Sequence, residues 1–384
     1  MKNNLLVLCV FVSLSLTISA QVNNPINTAV PSLSIAPDAR AGGMGDIGAA
    51  TTPDVNSQYW NAAKYVFMES DAGVSLSYTP WLRKLVTDIN LAYLAGYWKF
   101  DQNQALSASL RYFSMGAIAL MDGQGSTQGT AYPNEYSIDV AYSRLLSEKL
   151  SAAITLRFIN SDLNNGYNFA NGGSSVTMTP GSAVAADISA YYRTPITLQN
   201  GDGKLAFGVN ISNIGSKISY DQNETSNFIP TNLRIGSSFE YPLDNYNKIS
   251  INADLNKLLV PTPKYPGTAT AADQTAYNNL SPIAGIFQSF SDAPGGFKEE
   301  MEEIMWSVGA EYAYNNQFFV RGGYFNENQY KGNRKYFTAG AGFKLNVFQL
   351  DAAYVISTSQ SNPLDQTLRF SLSFDLFGLK NLVK

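Results

Sequence analysis

The sequence predicts an all-β membrane protein, a 14-stranded antiparallel transmembrane β-barrel with an N-terminal plug segment and long extracellular loops. Three observations predict this fold. Apolar residues alternate with polar or small ones through stretches of seven to fourteen residues, only 15% of the residues are charged, and 12% are aromatic. Successive side chains of a β-strand point to opposite faces, so each stretch has one wet and one apolar face. A soluble protein would carry about 25% charged residues.

Residues 1–20 have the features of a signal peptide. Lys2 supplies the positive start, residues 5–16 form the apolar core, and residues 18–20 read Ile-Ser-Ala before Gln21. The single cysteine, Cys9, lies in that core, so we expect no cysteine and no histidine in the mature chain. Disulfides, histidine-dependent triads and imidazole–zinc sites are therefore excluded. We expect a protein that is not an enzyme, holds no cofactor or metal and, at a net charge of −4, binds no nucleic acid.

The barrel domain is predicted to comprise residues 73–384. The predicted strands have about the length that a tilted transmembrane β-strand needs, ~9–11 residues. They span 73–79, 88–100, 104–115, 134–146, 150–160, 182–193, 203–214, 230–241, 247–257, 304–314, 317–327, 334–345, 347–357 and 366–377.

The connectors between these strands alternate in length. Long connectors are predicted at 80–87, 116–133, 161–181, 215–229 and 258–303, and short turns separate them. Bacterial outer-membrane barrels keep short turns in the periplasm and long loops outside. We therefore expect the protein in the cell outer membrane, with both termini in the periplasm.

Ten of the charged residues inside the predicted strands lie on the face opposite the main apolar set of their strand. A basic residue facing lipid at the midplane would cost about 2–4 kcal/mol, so these side chains are expected in the lumen. Five acids and five arginines can satisfy one another in pairs, which favours a structural network over a charge-selective pore. The ten are Arg111, Asp139, Arg157, Asp187, Arg234, Asp254, Glu311, Arg321, Asp351 and Arg369.

Residues 21–72 do not follow the strand pattern. They contain four prolines and a Gly-Gly-Met-Gly cluster at 42–45. Unlike the glycines of a phosphate-binding loop, this cluster is not followed by a Lys-Ser/Thr pair. The segment has too few large apolar residues for a domain of its own. Its place before the first strand predicts a periplasmic or lumenal plug.

The connector 258–303 is the longest predicted external feature. Phe297, Met301 and Ile304 have the spacing of a short amphipathic helix. The glutamates at 299, 300, 302 and 303 lack the spaced ligands of a calcium loop, so a solvated helix face is the better interpretation. Loops of this length are usually functional or disordered, and we favour a partner contact or a lid.

Two stretches of the plug segment carry a family resemblance. Residues 38–46 read Asp-Ala-Arg-Ala-Gly-Gly-Met-Gly-Asp, and residues 56–65 read Asn-Ser-Gln-Tyr-Trp-Asn-Ala-Ala-Lys-Tyr. They resemble the N-terminal region of PorV proteins, outer-membrane proteins of the Bacteroidetes type IX secretion system that are similar to the FadL family of fatty-acid transporters. The likeness covers essentially the whole chain. Ala62 stands where these relatives usually have proline, so the fixed φ of that residue is missing here.

The resemblance implies a role in protein secretion. Substrates with a C-terminal sorting domain would be received from an SprA-like translocon barrel and delivered to an attachment complex with a PorU-like sortase. The loops 116–133, 161–181 and 258–303 would hold cargo and partner barrels, and outer-membrane lipids would surround the wall. The plug would prevent leakage.

The same resemblance implies roles for residues of the plug. The glycines would make tight turns, the charged residues would pair with lumen charges, and Trp60 would be an apolar anchor against the wall. Simple stabilisation of the plug is an equally good interpretation. The plug-motif residues are Asp38, Arg40, Gly42, Gly43, Met44, Gly45, Asp46, Trp60, Asn61 and Lys64.

The alternative function is FadL-like transport of hydrophobic small molecules. It predicts an apolar pocket beneath the external loops and a kink in one strand. Phe287, Phe290 and Phe297 in the long loop suit either function. A general diffusion porin is disfavoured by the plug segment and by the balanced lumen charge.

Overall fold

Fourteen antiparallel strands form one closed barrel in the computed structural model of the chain. The structure describes residues 23–83, 86–121, 124–163, 169–171, 174–176, 179–198, 201–221, 225–358 and 364–378. The predicted antiparallel β-barrel and its strand number are confirmed. The barrel strands are β1 Ala72–Pro80, β2 Asn90–Lys99, β3 Gln104–Ser114, β4 Asn134–Ser147, β5 Leu150–Asp162, β6 Gly181–Leu198, β7 Gly201–Gly215, β8 Asn232–Pro242, β9 Asn247–Leu258, β10 Met305–Tyr314, β11 Phe318–Asn326, β12 Lys335–Leu345, β13 Phe348–Ser357 and β14 Leu368–Asp375.

The alternating sequence pattern becomes an inner and an outer face of the barrel wall. On β1, Leu76 faces outward and is 56% exposed, whereas Ser75 and Ser77 face inward and are buried. The barrel closes where β1 pairs with β14, with Gly73 opposite Asp375. Because the barrel is closed, each strand forms backbone hydrogen bonds with a neighbour on both sides. A strand in lipid requires this, since no water is present to bind unpaired N–H and C=O groups.

One strand is longer than the sequence predicts. β6 continues past Arg193 through Pro195 to Leu198, and Pro195 pairs with Lys204 of β7. The partner on its other side, β5, ends its pairing with β6 at Tyr192. Beyond that point β6 is an edge, where the missing N–H of a proline is tolerated.

Long and short connectors lie at opposite ends of the barrel, so the predicted alternation is confirmed. We call these the loop end and the turn end. The loop end carries connectors 81–89, 115–133, 163–180, 216–231, 259–304, 327–334 and 358–367, and the turn end carries 100–103, 148–149, 243–246, 315–317 and 346–347.

Several loop-end connectors contain structure that the sequence analysis did not predict. Three short hairpins pair Ile118–Met121 with Thr127–Ala131, Phe169–Asn171 with Ser174–Val176, and Ile218–Ser219 with Ser226–Asn227. The described helices are α1 Ala39–Gly42, α2 Ser57–Trp60, α3 Ala271–Asn279, α4 Pro282–Gln288 and α5 Phe297–Glu302, with 3-10 turns at Pro31–Ser34 and Ala62–Phe67. Within the described residues, no helix combines the length and apolar character needed to cross a membrane.

Candidate functional site: the barrel interior and the loop end

The N-terminal segment, residues 23–71, runs through the barrel from the loop end to the turn end. At the loop end, the Asn24 N–H donates to the Tyr330 carbonyl at 3.0 Å. At the turn end, the Lys99 N–H donates to the Asp71 carbonyl at 2.6 Å. Between these points the segment contacts inward side chains of strands on every side.

This path corrects one expectation about the termini. Among the described residues, Asn24 lies at the loop end whereas Asp375 closes the wall at the turn end. They therefore do not lie on the same side of the barrel. The strand count correctly places the start of β1 at the turn end. It does not take into account that the preceding segment passes through the lumen to the loop end.

Arg40 joins the N-terminal segment to the wall. Its Nη2 lies 3.0 Å from Glu311 Oε1 on β10, and its Nη1 lies 2.8 Å from Asp54 Oδ2 within the segment. Glu311 also accepts from Arg321 Nε at 2.6 Å, and Arg321 Nη1 reaches Asp351 Oδ1 at 2.6 Å. The five groups, all buried except the partly exposed Asp54, form one chain of charge-assisted hydrogen bonds.

Asp46 makes a second contact between the segment and the wall. Its carboxylate pairs with the Arg369 guanidinium on β14 and accepts from the Tyr336 hydroxyl at 2.6 Å. Arg369 also packs against Gly42, where an added Cβ would lie 2.4 Å from Nη1. Of the four charged residues expected to pair with lumen charges, Arg40 and Asp46 do so.

Asp38 and Lys64 have partners inside the segment instead. Asp38 caps α1 by accepting from the Ala41 N–H at 2.9 Å, and it accepts from Trp60 Nε1 at 2.6 Å. Lys64 Nζ donates to the Gly48 carbonyl at 2.8 Å and to Thr51 Oγ1 at 3.1 Å. Local caps and carbonyls satisfy these two groups, so pairing with lumen charges was the wrong expectation for them.

The glycine cluster brings the backbone close to the wall. Gly45 has φ of +80°, which favours glycine, and its position would bring a Cβ within 2.9 Å of the Tyr324 backbone. Gly43, with φ of −75°, needs no such freedom and instead lies against Gly340, where a Cβ would be 3.0 Å from Cα. Met44 is buried, and its backbone lies against Gly309 and Gly323 of the wall.

Trp60 and Asn61 fix the second motif. Trp60 is buried, and the Arg234 guanidinium of β8 stacks 4.6 Å from its ring. Asn61 caps the following 3-10 turn through Ala63 N–H, and its Nδ2 donates to the Ala190 carbonyl on β6 at 2.9 Å. The turn forms with Ala62 at the position where relatives carry proline.

A second charge network lies on the opposite wall. Arg157 Nε lies 3.1 Å from Asp139 Oδ2, and its Nη2 lies 2.9 Å from Asp187 Oδ2. Asp139 also accepts from Gln58 Nε2 of the segment at 2.6 Å. Sequence analysis missed Gln58 because an amide at an irregular position gives no periodic signal.

The remaining three predicted lumen residues have neutral hydrogen-bond partners among the described residues. Arg111 donates to the Ile35 carbonyl at 3.0 Å, and Asp254 accepts from the Gly48 N–H at 2.9 Å. Arg234 donates to Asn256 Oδ1 at 2.8 Å. All ten predicted lumen charges are thus buried on the inner face, and seven of them lie in ion pairs. Those seven are Asp139, Arg157, Asp187, Glu311, Arg321, Asp351 and Arg369.

At the loop end, buried ion pairs fasten α5 to the barrel rim. Lys257 Nζ lies 2.6 Å from Glu303 Oε2 and 3.1 Å from Glu300 Oε2. Lys331 Nζ lies 2.5 Å from Glu299 Oε1 and 3.0 Å from Glu303 Oε1. We call these five residues the rim cluster. All are at most 8% exposed, so the expected solvated acidic helix face is wrong.

Lys257 explains why the acidic face turns inward. It follows Leu255 at the outward position of β9, where Leu255 is 51% exposed. A lysine at that position near lipid needs a partner, and Glu300 and Glu303 supply it. A basic residue at an outward strand position was the signal that could have indicated this contact.

The opposite face of the long loop is apolar and exposed. Phe287 and Phe297 are 74% and 78% exposed, and Ile283, Phe290 and Met301 are 47–55% exposed. We call these five side chains the loop patch. The predicted helix around Phe297 and Met301 exists as α5, but its apolar side faces away from the protein.

Two cavities flank the N-terminal segment. The turn-end cavity has a volume of about 470 Å³ and is lined by residues 52–56 and by the inner faces of β6–β14. A smaller pocket of about 80 Å³, nearer the loop end, is lined by polar groups such as Arg234 and Arg334 as well as Met305 and Phe325. No group of three potential metal-ligating acidic, histidine or cysteine side chains occurs among the described residues.

Comparison with known proteins gave one family and several related folds. The model of the type IX secretion system protein PorV matches residues 18–265. The search of curated proteins gave no match.

Among solved structures, the Pseudomonas putida toluene transporter TodX is 10% identical, with 89% of this chain and 98% of that chain covered at a TM-score of 0.50. A TodX deltaS2S3 mutant monoaromatic hydrocarbon channel is 11% identical, with 88% and 98% covered at 0.50. A Pseudomonas aeruginosa FadL homologue is 10% identical, with 92% and 99% covered at 0.44. At such identities the TodX likeness concerns the fold alone, that of an outer-membrane barrel.

The family match spans 248 of 384 residues, from the end of the signal-like stretch into the long loop. It includes both motifs of the N-terminal segment and β1 to β9. This chain therefore belongs to the PorV family of type IX secretion system proteins, and its barrel is of the outer-membrane type.

Proposed function

We propose that this protein is a non-enzymatic carrier of type IX secretion. It receives substrates with a C-terminal sorting domain from an SprA-like translocon barrel and passes them to the attachment complex with its PorU-like sortase. The loop end holds the substrate or the partner barrel, and the N-terminal segment keeps the lumen sealed meanwhile.

The loop patch is the observation that carries this proposal. Exposed apolar patches of this kind mark interaction surfaces, because leaving large aromatic side chains in water is unfavourable. Phe287 and Phe297 are among the most exposed aromatic side chains in the described part of the chain. The rim cluster supports a recognition role, since buried ion pairs hold α5 with its apolar side outward.

The contacts of the N-terminal segment support the sealing role. The segment reaches β10 through Arg40, β14 through Asp46, β4 through Gln58 and β6 through Asn61. Anchors on opposite walls hold a segment in place better than anchors on one side would. A carrier fixed in the outer membrane needs such a seal, because an open lumen would let solutes leak.

Transport of hydrophobic small molecules is less well supported. Pockets for such ligands measure about 300–1,000 Å³, whereas the pocket near the loop end has about 80 Å³ and is lined by Arg234 and Arg334. Among the described barrel strands, the pairing register shifts near Leu145 on β4 and at Asp187 on β6, and at the second place the Asp187 carboxylate accepts from the Asn213 N–H at 2.8 Å. A filled bulge offers no side opening.

The test is a secretion assay in a strain that lacks the chromosomal gene. The double variant Phe287→Asp and Phe297→Asp should reach the outer membrane at the wild-type level but fail to release a reporter fused to a C-terminal sorting domain. The matched control is Tyr246→Asp, an exposed aromatic residue at the turn end, which should secrete normally. Normal secretion by the double variant would refute the role of the loop patch.

A further inference from the structure

Arg234 and Asp254 are neighbouring residues of opposite charge on the inner wall that do not form an ion pair. Arg234 on β8 lies opposite Asn256 of β9, and Asp254 is the next inward residue of β9 toward the turn end. Among the described residues, no carboxylate oxygen lies within 4.0 Å of the Arg234 guanidinium nitrogens. Both side chains are buried. Their separation needs a cause, because a buried charge without a partner is unfavourable.

The same diagonal arrangement elsewhere in the wall does form an ion pair. Arg157 on β5 lies opposite Ala185 of β6, and Asp187 is the next inward residue of β6 toward the turn end. There, Arg157 Nη2 lies 2.9 Å from Asp187 Oδ2. The geometry of adjacent strands thus permits this pairing, so the strand positions of Arg234 and Asp254 do not prevent theirs.

The N-terminal segment binds both groups instead. Asp254 Oδ2 accepts from the Gly48 N–H at 2.9 Å and from the Ala49 N–H at 3.0 Å. The Arg234 guanidinium stacks on the Trp60 ring, 4.6 Å from its centroid. In the sealed barrel, contacts with the segment therefore replace the ion pair that the wall could form by itself.

These contacts leave the Asp254 carboxylate incompletely satisfied. Its Oδ1 is buried and has no hydrogen-bond partner among the described residues. This oxygen lies over Gly236 of β8, where an added Cβ would be 2.1 Å from it. The carboxylate thus already lies against the strand that carries Arg234. A guanidinium N–H would supply the donor that this oxygen lacks, which is favourable for a buried acceptor.

A second pair of wall charges is separated in a similar way. Glu135 on β4 lies opposite Phe113, which is the next inward residue after Arg111 on β3. Ser32 of the N-terminal segment connects the two charged groups, since its N–H donates to Glu135 Oε2 at 3.3 Å and its carbonyl accepts from Arg111 Nη1. The Arg111 and Glu135 side chains are not within the 4.0 Å of an ion pair. Separated wall charges therefore occur at two places around the barrel.

We propose that the N-terminal segment is held by a reversible exchange of partners with the wall. In the sealed state the segment binds Arg234, Asp254, Arg111 and Glu135. When the segment is displaced, Arg234 pairs with Asp254, and Arg111 pairs with Glu135. The lumen thus has a second state in which the segment has left these contacts and the four wall charges still have partners.

The exchange makes displacement of the segment accessible. Leaving buried charges unpaired is strongly destabilising, and the new ion pairs avoid that loss. A partner that binds the displaced state more tightly than the sealed one would shift the equilibrium toward it. Asn24, near the start of the segment, lies at the loop end, where its N–H donates to the Tyr330 carbonyl. A partner bound there would contact the segment directly. This inference goes beyond the proposed carrier role but rests on the sealing role of the segment.

The test exchanges the two charges in the full-length protein. The variant Arg234→Asp with Asp254→Arg keeps the wall pair but removes the acceptor for the Gly48 and Ala49 N–H groups. Heat-modifiable migration on gels should show that this double variant folds as the wild type does. In Arg234→Asp or Asp254→Arg alone, which lose the pair as well, the folded fraction should fall below about half. In planar bilayers the double variant should conduct about tenfold more than wild type or better, because the displaced state becomes the favoured one.

The matched control is Lys204→Glu with Glu240→Lys. It exchanges the charges of a turn-end pair, 3.6 Å apart, that exists in the sealed barrel. This control should fold and conduct as the wild type does, and an equal rise in its conductance would overturn the proposal.

Two further outcomes would contradict the exchange. A double variant that folds as poorly as the single variants would show that no wall pair forms. A folded double variant with the low conductance of the wild type would show that the segment stays in place. If the wild type itself already conducts at the level expected of the double variant, the sealing role fails too, which separates the two failures. Secretion is not measured, so the result does not depend on the carrier role.

Discussion

The Arg40 guanidinium lies between Glu311 on the wall, at 3.0 Å, and Asp54 in the N-terminal segment, at 2.8 Å. Asp54 belongs to the same segment as Arg40, whereas Glu311 is 271 positions away in the sequence and meets them in the lumen. Arg40 therefore stabilises both the conformation of the N-terminal segment, through Asp54, and its position in the barrel, through Glu311. The charged residues of the lumen bind polar and charged groups of the N-terminal segment as well as one another.

Replacing Arg40 by methionine should destabilise the protein strongly. Glu311 would keep Arg321, but Asp54, whose side chain is 22% exposed, would lose its cation, so we expect a loss between the about 1 kcal/mol of a surface pair and the about 3–5 kcal/mol of a fully buried one. Urea unfolding of the reconstituted protein measures the loss. The double variant Arg40→Met with Asp54→Asn should recover part of it, whereas the exposed Lys149→Met should change little. A loss of under about 1 kcal/mol in Arg40→Met, the scale of a surface pair, would contradict this role.

Gly323 on β11 is predicted to be necessary for the seal. A Cβ at this inward position would lie 2.1 Å from the Met44 carbonyl carbon, so Gly323→Ala must displace the segment backbone. Overpacking of this kind costs about 1–3 kcal/mol. We expect higher ion conductance than wild type in planar bilayers.

The adjacent Gly322 provides the matched control for this experiment. An added Cβ there would meet only the Thr338 carbonyl oxygen, at 3.9 Å. Gly322→Ala should therefore conduct as wild type does. Equal conductance of the two variants would show that the segment is not held at this contact.

The long loop should become less stable as the pH rises from about 4 to about 6. Burial raises the pKa of the Asp292 carboxyl from 3.8 to about 6, with Glu300 and Glu303 adding repulsion. The folded loop thus favours the protonated acid, and its stabilisation is present below the unfolded pKa and lost through the folded one. Hydrogen exchange of residues 297–302, corrected for intrinsic rates, measures the effect.

Asp292→Asn should remove this pH dependence and increase protection near pH 7. Its amide oxygen can still accept from the Thr262 N–H, now 3.1 Å from the carboxylate. The exposed Asp101→Asn at the turn end should leave the profile unchanged. An unaltered pH profile in Asp292→Asn would assign the dependence to another group.

The start of the mature chain should be accessible from the cell surface. Asn24 contacts two loop-end connectors, and the neighbouring Asn23 is exposed. Because the expected mature chain has no cysteine, Asn23→Cys can be labelled alone. A membrane-impermeant maleimide should label it on intact cells but leave Tyr246→Cys at the turn end unlabelled. The reverse pattern would invert the orientation.

The strands were predictable because their signal is local. On β4, Tyr136 to Tyr142 alternate by residue, and lipid on one side with a filled lumen on the other makes that alternation obligatory. The inward position of the ten strand charges follows from the same rule. Strand ends such as that of β6 depend on neighbouring strands, which the local pattern does not contain.

The partners of the charges were not predictable in the same way. A helical repeat shows that α5 has two faces, but Lys257 and Lys331, distant in sequence, decide which face meets the barrel. Lys64 was expected to meet a lumen acid, yet nearby carbonyls of its own segment reach it first. Tertiary contacts between distant segments made these choices.

The most direct test of the carrier role is a pulldown of the tagged protein from detergent-solubilised outer membranes, with mass spectrometry of the bound proteins. We expect recovery of the translocon barrel or of exported proteins that share a C-terminal sorting domain. The variant Phe287→Asp with Phe297→Asp should recover neither, although it is present in equal amount. Recovery of lipids or fatty acids alone, with secretion continuing in the absence of the gene, would contradict the carrier role.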